Sequence, residues 1–147
     1  MKVDFEVLDK ILSNHQKFLA GDPDGEKANL KNAELFGTNL IGVNLKDANL
    51  EGASLRRAIL ANANFEGALL KEANFKHAVL DGANFKNCDM RDAKLKGVNL
   101  DNTDLRGANL SGALLDDSTF YNAKYNSETI WPEGFDIKSI GLLYIED

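Results

Sequence analysis

The sequence predicts an all-β solenoid covered at its first end by an α-helix. Large apolar residues recur at every fifth position from Leu30 to Tyr125, twenty positions without a slip. A small or β-branched residue stands two positions before each of them. The residues on either side of this register abandon the five-residue period, and the first of them take up a helical one. A period of five fits neither a 3.6-residue helix nor a 2-residue strand, so each unit has to include a bend. The chain divides accordingly into residues 1–27, an N-terminal helix and loop, residues 28–127, the repeats, and residues 128–147, a C-terminal cap or tail.

The N-terminal segment reads as a helix over residues 4–20. Asp4 can accept from the free N–H groups of the first turn, and Gly21 can end the helix. Leu8, Ile11, Leu12, His15 and Leu19 form a mostly apolar stripe at helical spacing, suited to covering the open edge that a stack of strands presents.

The repeats follow from their composition. The large position is Leu fourteen times, Phe at Phe65, Phe75, Phe85 and Phe120, then Met90 and Tyr125. Two residues earlier Ala occupies fourteen of the twenty positions, and the rest are Thr38, Val43, Cys88, Val98, Thr103 and Ser118. Two residues after the large one stands Gly, Asn or Asp in sixteen of twenty units, the types that tolerate tight turns and positive φ. Small and large residues two apart point to the same side of an extended segment, so each unit is one side of a polygon with that pair inward. Stacked coils ~4.8 Å apart leave little interior room, which keeps one of the two inward positions small.

"ANLKN", "ANLEG", "ANFEG", "ANFKN" and "RGANLSGA" resemble the pentapeptide repeat family, usually written A(D/N)LXX. The resemblance implies a right-handed β-helix of square cross-section with four repeats per turn, hence about five turns and roughly 24 Å of stack. Sorting the units by four agrees: Asn or Asp precedes the large residue in 4 of 5 units on two adjacent sides, against 1 of 5 and 2 of 5 on the others. The stretch "ILSNHQKFLAGDPDGEKANL" also resembles a leader found before many bacterial members, with His15, Phe18 and Gly25 at its marked positions.

At the other end "TIWPEGFDIKSIGLLYIED" is similar to a "WPEGF" tail seen in family members. Its Trp131, Phe135, Ile140, Leu142, Leu143 and Tyr144 suit a cap on the last turn. The alternative reading of Trp131, Phe135, Leu142, Leu143 and Tyr144 is a homodimer interface at the end of the solenoid.

Composition excludes several function classes. Apolar content of 44% and charged content of 27% are those of a globular chain, and no run approaches the ~18 apolar residues of a membrane span. Asp4, Glu6 and Asp9 stand where a signal peptide needs a basic start, so the chain reads as cytoplasmic and away from membranes. Cys88 is the single cysteine, which rules out an internal disulfide and any multi-cysteine metal site. It falls in a small inward slot and reads as a buried thiol. His15 and His77 are far apart in the register and read as structural or solvated. "GDPDGE" (21–26) lacks the later glycine and the bidentate glutamate of a calcium loop. No catalytic residues, metal or cofactor are expected, and the protein is not read as an enzyme.

Function is therefore sought on the outer faces. The side centred on Leu40, Leu60, Leu80, Leu100 and Phe120 carries no Lys or Arg, and exposes Ile41, Ile59, Ala61 and Val79, then Asp81, Asp101 and Tyr121. The neighbouring side, centred on Leu35 through Leu115, carries Arg56, Arg57, Lys76, Lys94 and Lys96. Ile41, Ile59, Val79, Asp81, Asp101 and Tyr121 are the candidate binding residues for an unidentified protein partner. Direct nucleic-acid binding is not expected of five cations with acids nearby. The net charge of −6 lies in the ends, since residues 28–127 hold 12 basic and 12 acidic side chains. That neutrality ranks second the alternative the family suggests, a DNA-mimicking regulator of a topoisomerase such as gyrase.

Overall fold

The computed structural model describes residues 1–146. Its repeat unit is a coil of twenty residues, four pentapeptides, because from Asn29 to Asp104 each bridging residue pairs in parallel with the residue twenty further on: Asn29 with Asn49, Glu34 with Ser54, Asn39 with Ile59, Asn44 with Asn64. The ladder is regular. Leu30 N–H donates to the Asn49 carbonyl at 2.7 Å and Asn49 N–H donates back to the Ala28 carbonyl at 3.0 Å. Each side bridges at a single residue, so the coils hold few strands of conventional length; β1 (Lys124–Tyr125) and β2 (Leu143–Tyr144) are the exceptions.

The corners explain the brevity of the sides. Ala33 N–H donates to the Leu30 carbonyl at 3.0 Å, and the residue between them, Asn32, has φ 57. That is the positive φ a type II turn requires at its third residue. Every fifth residue from Asn32 to Asn122 has positive φ, including Arg57, Glu72 and His77. The Asn or Asp before the large residue has its own task. Its side-chain oxygen accepts the N–H two residues on, as Asn64 does from Glu66 at 3.0 Å and Asn84 from Lys86 at 2.9 Å. This side-chain turn gives the backbone a partner where the chain leaves the ladder.

Inside, the large positions from Leu30 to Leu110 are buried, and so are the small ones between them except the half-buried Thr38 and Val43. Phe65 and Phe85, one coil apart, stack with centroids 5.2 Å apart, and Phe75 meets both edge-on at 6.1 and 6.0 Å. These are the favoured aromatic geometries. Polar occupants of small slots bond to carbonyls of the coil: Cys88 Sγ–H donates to Phe65 O at 2.7 Å and Thr103 Oγ1–H to Leu100 O at 2.7 Å. Burial pushes the Cys88 thiol far up, so it is protonated and inert.

Helix α1 (Phe5–Leu19) covers the first coil. Asp4 caps it by accepting from Val7 N–H at 2.9 Å, and Leu8 and His15 are its buried residues. His15 Nδ1 accepts the Ala28 N–H at 2.9 Å, tying the cap to the first repeat. The loop after the helix returns so closely that a Cβ on Gly25 would lie 2.1 Å from the Phe18 nitrogen, so only glycine fits there. Before the helix, Lys2 bridges Glu34 in parallel, a further strand under the first coil that the sequence did not announce.

Candidate functional site

The outward side chains of the Leu40 side form columns down the stack. One column runs Asn39, Ile59, Val79, Asn99, Thr119 through successive bridges. Ile59 and Val79 are thus direct ladder neighbours and are 38% and 41% exposed, while Ile41 in the adjacent column is 57% exposed. Ile59 and Val79 are brought together, and Ile41 lies on the same side one coil below Ile59. The sequence reading missed two exposed aromatics near the first coil of this side. Phe36 is exposed one corner away across Gly37, and Phe5 of α1 lies beside Thr38–Leu40 with 81% of its surface exposed. Phe36 was legible as an aromatic at an outward repeat position; Phe5 sits on another element and carries no repeat signal.

Asp81 and Asp101 serve the scaffold. Asp81 accepts from Asn102 Nδ2–H at 2.9 Å, and Asp101 accepts the Tyr121 N–H at 2.9 Å. Both are half-buried and bond from one coil to the next. Tyr121 is exposed, at the opposite end of the side from Ile41.

On the Leu35 side Arg56, Arg57, Lys76, Lys94 and Lys96 make no ion pair among the described residues; the Arg56 guanidinium lies 5.8 Å from the centre of the Phe36 ring. The short ion pairs lie elsewhere, Arg91–Asp89 at 2.7 Å and Arg106–Asp104 at 2.6 Å. Hydrogen bonding from Arg91 holds the Asp89 carboxyl below its ordinary range. Burial pushes Asp104 up, and bonds from Arg106 more than reverse it.

At the C-terminal end, Trp131 and Phe135 stack at 5.4 Å, and both meet Phe120, at 6.1 and 5.6 Å. They are half-buried on the last coil, as is Leu142. β2 pairs with β1 in parallel, leaving Leu143 and Tyr144 exposed, with the Tyr144 ring 5.3 Å from Tyr125.

The buried ionisable groups have structural environments. Burial holds the His15 imidazole below its ordinary pKa, against the backbone of Lys46 and the Asp47 carboxylate, so it stays neutral and keeps Nδ1 free to accept. Among the described residues no group of three or more His, Cys, Asp or Glu side chains is placed to hold a metal. No helix among them is long and apolar enough to cross a membrane.

Two family profiles, each described as pentapeptide repeats, match residues 26–61 and 58–97, and 80–124. No curated protein matches the chain. Among solved structures, a pentapeptide repeat protein (Rfr23) from the cyanobacterium Cyanothece 51142 is similar at 30% identity and TM-score 0.57, over 76% of this chain and 69% of that one. A pentapeptide repeat protein of the Arabidopsis thaliana thylakoid lumen is similar at 30% identity and TM-score 0.54, over 63% of this chain and 68% of that one. The plasmid-mediated fluoroquinolone resistance protein QnrB1 matches at 18% identity and TM-score 0.36, over 81% and 84%, a likeness too distant to argue from.

Proposed function

Because the chain belongs to the pentapeptide repeat family, we propose that it is a non-enzymatic, protein-binding scaffold of the cytoplasm: a right-handed, four-sided solenoid of about five coils whose Leu40 side docks a protein partner. One observation carries this reading. Ile59 and Val79 are ladder neighbours on an outer face, both exposed, with Ile41 exposed on the same side one coil below Ile59. Single exposed apolar residues need no explanation, but a contiguous group does. The Ile59 and Val79 side chains form no part of the filled interior, so the face is free to serve a partner.

DNA mimicry is the weaker reading, because it needs a strongly negative rod and residues 28–127 balance 12 basic against 12 acidic side chains. A homodimer through the tail is weaker too, since Trp131 and Phe135 spend much of their surface on Phe120.

The test compares affinity capture by the wild type and by an Ile59→Lys/Val79→Lys variant from the source cells. Both substitutions point outward, so circular dichroism melts should coincide. The expected result is a protein captured by the wild type, lost by the variant, and bound directly once purified. Identical captures sink the docking face, and inhibition of a type II topoisomerase by the purified chain would favour mimicry.

A further inference from the structure

Every coil offers its ladder groups to the coil above, and the last coil must offer them to the tail. On the Leu30 side the tail takes them: Leu110 N–H donates to Ile130 O at 2.7 Å and Ile130 N–H to Ala108 O at 2.9 Å. On the Leu45 side, Leu143 N–H donates to Ala123 O at 2.8 Å and Ile145 N–H to Tyr125 O at 2.9 Å. At the corner of the Leu40 side, Asn122 N–H donates to Gly141 O at 2.9 Å. The Leu40 side keeps only that corner bond, its Phe120 N–H and Ser118 C=O having no backbone partner among the described residues, and the Leu35 side is left open at ladder and corner alike. One coil down on that side, Leu95 N–H donates to Leu114 O, Gly97 N–H to Asp116 O, and Ala93 O accepts from Leu114 N–H. The equivalent groups one coil up, Leu115 N–H, Asp117 N–H and Ala113 C=O, have no backbone partner among the described residues.

The tail stands off instead of covering them. Pro132–Phe135 closes on itself through the Phe135 N–H to Pro132 carbonyl bond at 3.1 Å, and a cleft of about 440 Å³ lies between this turn and residues 113–116. The cover over the interior is thinnest there as well. Leu115 is 8% exposed and Ala113 5%, the most exposed leucine and alanine of the buried core. Around the cleft stand Asp116, Asp117 and Glu133, exposed and without an ion pair among the described residues.

These three features select an occupant. Unpaired ladder groups ask for an extended backbone. The thinly covered Ala113–Leu115 pair asks for one small and one large apolar side chain above it, as every other unit supplies. The three carboxylates ask for cations flanking that pair. We infer that the open side of the last coil takes up an extended segment of a partner protein, in which a small–x–large apolar pair is interleaved with Lys or Arg, laid parallel as the next pentapeptide would be. The chain itself holds an example one coil below, Ala93-Lys94-Leu95-Lys96-Gly97. This site is at the C-terminal end and shares no residue with the Ile59/Val79 face, so each can fail without the other.

The probe is the capped pentapeptide AKLKG, titrated at low salt into the full-length, isotope-labelled protein and followed by amide NMR. Binding at millimolar peptide should shift amides of residues 113–117 and 132–135, and slow the hydrogen exchange of Leu115 and Asp117. Asp116→Lys/Glu133→Lys, both exposed, should weaken it about tenfold without changing the melt, as should N-methylation of the first peptide lysine, whose N–H is the ladder donor to Ala113 C=O. Three results overturn the proposal. One is no shift at millimolar peptide. Another is binding indifferent to N-methylation, which is mere charge attraction. The third is Leu115 and Asp117 amides already slow in the free protein and faster on dilution, which means that a second copy covers the side.

Discussion

Glu72 offers the cleanest test of the claim that the ladder imposes corner geometry on whatever residue stands there. Its φ is 60, its N–H donates to Arg91 O at 2.9 Å, and its side chain is exposed, with no hydrogen bond or ion pair among the described residues. An L-residue held in the left-handed region costs roughly 1–2 kcal/mol. Glycine removes that cost but gives the unfolded chain extra freedom worth about 0.5–1 kcal/mol. Glu72→Gly is therefore expected to stabilise the fold by about 0.5–1 kcal/mol, or about 1–3 °C in Tm. Asparagine, which tolerates this region better than Glu, should fall between the two. Denaturant unfolding followed by circular dichroism measures all three, with Glu72→Ala as the control that removes the charge and keeps the strain. If Glu72→Ala stabilises as much as Glu72→Gly, the gain comes from relieving repulsion with Asp92 in the same column. The backbone argument is then wrong.

Two further outcomes follow from the core and the cap. Phe75→Ala empties the site between Phe65 and Phe85, where the ring is fully buried, and should cost about 3–5 kcal/mol in the unfolding midpoint. The His15 imidazole is held neutral with its pKa below the unfolded value of about 6.5, so the unfolded chain takes up the proton first. His15 therefore contributes stability that is complete above about pH 6.5 and is lost as pH falls through the window below it. His15→Gln should flatten the unfolding midpoint between about pH 6.5 and 5, a range above the point where Asp89 and Asp104 begin to protonate.

The interior was legible because one five-residue solution recurs. Each recurrence of Ala at one position and Leu two later reports the same space, so errors cannot accumulate along the register. The corners were legible where Gly, Asn or Asp stood. At Arg57, Glu72 and His77 the residue type argued against positive φ, and the bonds above and below prevailed. The preference for Asn or Asp before the large residue was visible as a frequency, but its cause, the bond to the N–H two residues on, needs coordinates. Helix α1 followed from Asp4 and the Leu8–His15 stripe. The Lys2–Glu34 bridge did not, because one isolated bridge leaves no periodic trace.

The candidate sites divide along the same line. Ile41, Ile59 and Val79 could be picked out as breaches of an outward rule, since outward positions here are mostly polar or charged. Asp81 and Asp101 obeyed that rule and looked available. Their engagement with Asn102 and with the Tyr121 N–H depends on contacts between coils twenty residues apart, which no local pattern reports. The open side above Leu115 lay still deeper, because it arises where the tail leaves the period: Asn109 pairs with Ile130, a step of twenty-one, and Lys124 with Leu143, a step of nineteen. Between those displaced pairings the tail has to make up its path, and Pro132 supplies no N–H to bond with the coil beneath. The Leu35 side of the last coil, bonded at neither ladder nor corner among the described residues, is thus a consequence of the sequence breaking its own repeat. In a repeat protein whose interior is the same from coil to coil, such breaks and the outward residues are what distinguish one chain's binding from another's.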